Sequence, residues 1–295
     1  MKMRRREILL LATLAAAVAT PVTGQTAAPD FSGVWRHPSL PGFEPPSSGP
    51  GPVTNKTRRP DGASDWNLLV GDYGNPILKP HAAEIVKKYG EISLSGVPPP
   101  TPANQCWPQP VPYIFWSFNV QILQQADKIA ILYSNPDHEF RQVRMNQPHT
   151  ARVTPSWYGD SVGHYDGDTL VIDTVGIKTG RPYAMVDNYG TPYSEGLHVV
   201  ERYRLLDYTE AKEGLDRDAK ENQRVQQWDI DRTYRGKHLQ LQFTVEDDGV
   251  FTTPWTATIT YGRGSGVWEE QVCAENTREY TGKNSDVPTA SRPDF

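Results

Sequence analysis

The chain has 295 residues, a formal net charge of −5 at pH 7, 37% hydrophobic and 22% charged residues, which is enough apolar material for a folded core. An acidic balance repels phosphate backbones and so excludes nucleic acid as a partner, and no block of like charge marks a membrane-surface patch. Beyond the N-terminus no stretch approaches the ~20 apolar residues of a membrane span.

Residues 1–24 read as an export signal: Lys2, Arg4, Arg5 and Arg6 precede an apolar run over 8–19, and small residues stand at Val22 and Gly24. Cleavage is expected between Gly24 and Gln25, and Arg5-Arg6 fits the twin-arginine pattern loosely. Losing Lys2, Arg4, Arg5, Arg6 and Glu7 removes a charge of +3 from −5 and leaves −8. The expected location is periplasmic or secreted. There Cys106 and Cys273, the only cysteines, are expected to form a disulfide between a proline-rich segment and the last strand.

A first short strand covers 30–35, and its Gly33-Val34-Trp35 opening resembles lipocalin-type (calycin) barrels, in which a tryptophan plugs one end. Prolines, glycines and serines leave 38–60 without periodicity, so an irregular arm is expected. Helical spacing of Ala82, Ile85, Val86 and Tyr89 after Pro80 predicts one helix over 80–89, ended by Gly90. Seven prolines in 97–112 exclude helix interior and central strand. Short alternating strands follow at 120–125, 128–134 and 138–145.

Asp166-Gly167 between two extended runs predicts a two-residue hairpin. That register sets His164 opposite Thr169, Val162 opposite Val171 and Asp160 opposite Asp173, all on one face. Two adjoining carboxylates do not both ionise cheaply, so one is expected to act as acid and the other as base; with His164 they could also hold a metal. The plain alternative is that Asp160 caps the turn after Trp157, Asp173 ends the strand, and His164 is exposed or bonded to backbone.

On the next strand, 197–206, Leu197, Val199, Glu201, Tyr203 and Leu205 share the more apolar face, which points Glu201 inward. A carboxylate there serves chemistry or is paired with an arginine from a neighbouring strand. The charged segment 209–222 reads as a solvated insertion. Turns at Arg235-Gly236 and Asp247-Asp248-Gly249 predict a three-strand meander, with Ile230 and Trp255 both opposite Leu241, and Ala257, Ile259 and Tyr261 continuing the core. A last strand covers 267–273 and a loose tail 276–295.

About ten strands and one short helix without βα alternation give an all-β antiparallel barrel or sandwich. The expected organisation is an arm at 25–115 and a β domain at 116–275. Three stretches, Asp30 to Trp35, Ser156 to Gly176 and Ser194 to Arg202, are similar to the Asp-x-Ser-Gly-x-Trp, Ser-Trp-x-Gly-x-Ser-x-Gly-x-x-x-Gly-Asp-Thr-Leu-Val-x-Asp-Thr-x-Gly and Ser-Glu-x-Leu-His-Val-Val-Glu-Arg patterns of a family of uncharacterised exported bacterial proteins. The resemblance supports the choice of stretch and implies no activity.

The expected function is binding of a small apolar or aromatic molecule in a barrel pocket, with acid–base turnover of the lyase, isomerase or hydrolase kind. Glu201 is the candidate base, His198 or His164 its partner, and Asp160 with Asp173 the acid pair. Trp157, Tyr193 and Tyr203 would line the pocket, with Glu195 and His149 as further ligand contacts. His198 and Glu201 have opposite strand parity, so at most one points inward without a bulge. The alternatives are a carrier without turnover, or a metal site using Glu195 and His198 with His149 or His164. No nucleophile elbow, phosphate loop, dinucleotide fingerprint or zinc-type cysteine cluster is present, so the sequence calls for no cofactor.

Overall fold

Alternation of apolar and polar side chains lets each strand bury one face, and a sheet with one buried face gains by curling onto itself. The computed structural model, which describes residues 28–37, 42–65, 67–117, 119–134, 138–179, 184–221 and 230–264, shows a closed barrel of nine strands in chain order. These are β1 (Gly33–Arg36), β2 (Asn119–Gln124), β3 (Lys128–Ser134), β4 (His138–Met145), β5 (Asp160–Asp166), β6 (Thr169–Val175), β7 (His198–Leu206), β8 (His238–Glu246) and β9 (Trp255–Arg263). The pairs are antiparallel except β4–β5, joined in parallel at Arg144–Val162 and Met145–Gly163. The barrel closes where Trp35 and Arg36 of β1 meet Arg263 and Gly262 of β9. Among the described residues no helix is long and apolar enough to cross a membrane.

The described residues include two helices, one more than expected, and the second packs on β7, β8 and β9. α1 (Pro80–Leu94) runs past Gly90, because that glycine lies against Val70, whose Cγ1 would stand 2.9 Å from an added Cβ. α2 (Tyr208–Glu221) replaces the solvated insertion expected over 209–222. Its buried stripe is Ala211, Gly214 and Asp218, which carries no large apolar residue and so escapes a hydropathy reading. Gly214 lets the helix approach β9 closely, since a Cβ there would lie 2.4 Å from Thr260 Oγ1. At the helix start the Asp207 amide donates to Glu210 Oε2 at 3.0 Å.

The arm is irregular but packed. Phe43 is buried in the barrel mouth, 4.9 Å from the Phe243 ring and 5.4 Å from that of Trp116. A single 3-10 turn, Tyr113–Trp116, adds Phe115 at 5.1 Å from Phe243. Trp35 of β1 belongs to the same buried cluster and lies beneath the Arg263 guanidinium at 4.9 Å.

Two registers differ from expectation. The β5–β6 turn centres on Gly167-Asp168, with Asp166 opposite Thr169, because only Gly167 adopts positive φ (61°) and a Gly-x turn puts glycine first. Pairing therefore slips by two residues, which preserves the faces but sets Asp160 opposite Val175 and Asp173 opposite Val162. The meander is half right: β8 pairs with β9, with Leu241 opposite Ile259 rather than Trp255. Its other neighbour is β7, where Leu241 meets Tyr203, while Ile230 bridges to Gly264. The expected signal at 1–24, Trp228 (which the expected meander sets opposite Phe243), the strand at 267–273, Cys273 with its bridge to Cys106, and the tail lie outside the described residues.

Candidate functional site

Strand parity sends the ionisable residues of β5, β6 and β7 to opposite sides of one wall. Ser161, Thr174 and Glu201 point into the barrel, and Asp160, Asp173 and His198 point out.

On the outer side the two carboxylates are diagonal neighbours, and His149, from the crossover at 146–159, stands between them. Its Nδ1 is 3.3 Å from Asp160 Oδ2 and its Nε2 is 2.9 Å from Asp173 Oδ1. The same Asp173 oxygen meets His198 Nε2 at 3.0 Å, and His198 Nδ1 lies 3.2 Å from Glu246 Oε2. The result is an alternating chain, Asp160, His149, Asp173, His198, Glu246, with Arg144 Nη2 donating to Asp160 Oδ1 at 2.7 Å. Asp160 Oδ2 also accepts the Thr150 amide and hydroxyl at 2.9 and 3.1 Å.

The electrostatics differ from those of a contacting acid pair. Partial burial pushes the Asp160 carboxyl up, but the Thr150 amide, Arg144, His149 and the Thr150 hydroxyl outweigh it and hold it down at about 2. Asp173 is lowered chiefly by its bond to His198. Both carboxylates are therefore ionised at neutral pH, and neither is the expected raised acid. His198 is raised to about 9, first by Asp173 and against its partial burial, so it is an imidazolium. His198 faces a carboxylate at each ring nitrogen, and as the imidazolium it donates in both directions. A raised folded value stabilises below the unfolded one, so the His198 contribution is complete below about pH 6.5 and is lost as pH rises through about 9. The difference in urea unfolding free energy between wild type and His198→Gln is expected to shrink over that window.

On the inner side, Arg141 of β4 reaches across β5 and β6. Its Nη1 and Nη2 fork the Glu201 carboxylate at 2.8 and 2.6 Å, and Nη2 donates to Thr174 Oγ1 at 2.5 Å. Nε donates to Ser161 Oγ at 3.1 Å, and the Tyr203 hydroxyl donates to Glu201 Oε2 at 3.0 Å. Arg141 and Glu201 are 1% and 0% exposed. Burial by itself would lower the guanidinium, and the Glu201 charge raises it. Tyr133 and Tyr261 lie within electrostatic reach, their phenols pushed up by burial, Tyr133 to about 12. Glu201 is thus half of a buried ion pair, with both oxygens engaged. Its arginine comes from across two strands rather than from the next one.

The sheet therefore divides the residues expected to act together: Glu201 and Tyr203 are inside, and His149, Asp160, Asp173 and His198 are outside. His164 is exposed on the outer face, and its imidazole has no hydrogen bond among the described residues. Glu195 is exposed in the turn before β7. Trp157 lies edge-on to Trp107 at 6.1 Å, beneath Lys178 Nζ at 5.2 Å. Tyr193 is buried, with its hydroxyl donating to the Lys178 carbonyl at 3.0 Å. Among the described residues no three His, Cys, Asp or Glu side chains are arranged to hold a metal ion.

Sequence reasoning missed Arg141, Arg144, Thr150 and Glu246. Arg141 had a signal, since it shares the parity of Val143 and Met145 in an alternating strand and is a charge on an apolar face. No protein-family model, no curated protein and no solved structure matches the chain.

Proposed function

We propose that this is an exported acid–base protein that binds a small molecule against the outer barrel wall and exchanges a proton with it, in a lyase, isomerase or hydrolase type of reaction. The observation that carries this reading is that two imidazole Nε2 atoms, at 2.9 and 3.0 Å, converge on one oxygen of Asp173. A half-exposed carboxylate needs no such pair for stability, because water would serve it. Two imidazoles on one anion form a proton-loaded unit, in which a proton given up at one ring is offset by its neighbours. In this reading His198 is the acid, Asp173 orients both rings, and Asp160 with Arg144 fixes the loop that carries His149.

A second reading, a carrier without turnover, draws on the saturation of Asp160, which accepts from Arg144, His149 and Thr150. A panel of small aromatic esters, lactones and enolisable ketones tests the pair of readings. Turnover by wild type is expected to fall about 100-fold in Asp173→Asn, with the circular dichroism unchanged. Turnover that survives the substitution would sink the catalytic reading. Altered affinity without turnover in either protein would establish the carrier.

A further inference from the structure

At the other end of β7 and β8 from the His198–Glu246 pair, Leu206 lies opposite His238, roughly 26 Å away by strand rise. There α2 leaves a cavity of about 120 Å³ against the wall, lined among others by Tyr208, Leu215, Asp218, Ile230, Tyr234 and His238. On this measure a water takes roughly 10–15 Å³, so the space accommodates a single substituted ring.

His238 is 2% exposed and lies between two tyrosines, with ring centroids at 5.8 Å from Tyr208 and 5.4 Å from Tyr234. Its Nδ1 is 3.0 Å from the Gly236 carbonyl, which only accepts, so Nδ1 carries the hydrogen. Nε2 of the neutral ring is then an acceptor, and it has no hydrogen-bond partner among the described residues. His238 lines the cavity, so a donor bound there could engage this acceptor.

Charge narrows the donor. Arg232 lines the cavity and the Arg235 guanidinium covers the Tyr208 ring at 4.2 Å, which disfavours a cation. Asp216 and Asp231 also line it, which disfavours an anion. Tyrosines with Leu215 and Ile230 favour a flat apolar body. We propose that this cavity is a binding site for a small neutral aromatic alcohol of the phenol type, whose hydroxyl donates to His238 Nε2. The site is separate from the outer proton chain and does not rest on its role. Burial and then Arg235 lower His238, which keeps Nε2 an acceptor at neutral pH. Burial, then the charge of Glu44, pushes the Asp218 carboxyl well up.

Calorimetric titration of the purified chain with phenol, and with toluene as the same ring without the hydroxyl, tests the site. Phenol is expected to saturate with a Kd of about 1 mM or tighter, and about tenfold tighter than toluene. His238→Phe keeps a ring between the tyrosines and is expected to erase that preference while leaving toluene unchanged. The ¹⁵N resonance of Nε2 in the wild-type chain, expected to shift on phenol addition, reads the same contact whether or not the variant folds. Absence of saturable phenol binding, equal affinity for the two ligands, or an unmoved Nε2 resonance would each overturn the proposal.

Discussion

Arg141→Met is expected to destabilise the barrel by about 3–5 kcal/mol, read by urea unfolding, because it strands a carboxylate with no route to water. Glu201 is 0% exposed, and after the substitution only the Tyr203 hydroxyl would remain bonded to it. The Ser161 and Thr174 hydroxyls would also lose the bonds from Arg141 and keep, among the described residues, only the one between them. The cost belongs to the broken pair rather than to the absence of charge, since an ion pair gains little over apolar residues of similar volume. Arg141→Met combined with Glu201→Leu is therefore expected to recover most of the loss, and the strong non-additivity of that double-mutant cycle is the measurement. A single substitution costing under about 1 kcal/mol would mean that water reaches Glu201. The carboxylate would then regain the ligand-facing role that its inward position first suggested.

Faces were legible in the sequence and partners were not. A strand has period two, so misreading the β5–β6 turn by two residues left Asp160 and Asp173 on one shared face while giving each the wrong opposite number. For the same reason Glu201 could be placed inward and His198 outward before any pairing was known. Partners depend on contacts distant in sequence. His149 arrives from an aperiodic crossover, and Arg141 meets Glu201 from 60 residues away. β7 and β8 become neighbours across α2, whose alanine, glycine and aspartate stripe looks like solvated chain. The reading of 228–232 as the neighbour of β8 followed from sequence proximity, which β7 overrode with nine paired residues. The arm shows the same limit: nothing local in a run of prolines and glycines says that Phe43 will be buried, because its partners lie on β8 and β9.

Phe243→Ala is expected to cost about 3–5 kcal/mol, as for other large buried aromatics, and to act on the arm as well as on the barrel. Phe243 is 1% exposed, with the rings of Phe43 at 4.9 Å, Phe115 at 5.1 Å and Trp255 at 6.0 Å around it. Two of those rings belong to segments outside the nine strands, so the cavity left by the substitution opens at the junction of arm and barrel. Ile131→Ala, buried on β3, supplies a control whose cost of about 2–5 kcal/mol falls on the wall alone. Proteolysis at the exposed 47–50 segment separates the two under native conditions, because cleavage tracks the population in which the arm is open. Phe243→Ala is expected to speed that cleavage more than global stability predicts, and Ile131→Ala only in proportion to it. Equal acceleration in both would mean that the arm opens only with the whole barrel. The Glu44–Arg217 fork, at 2.8 Å through each nitrogen, would then be the stronger tie, holding the arm to α2 when the aromatic plug is gone.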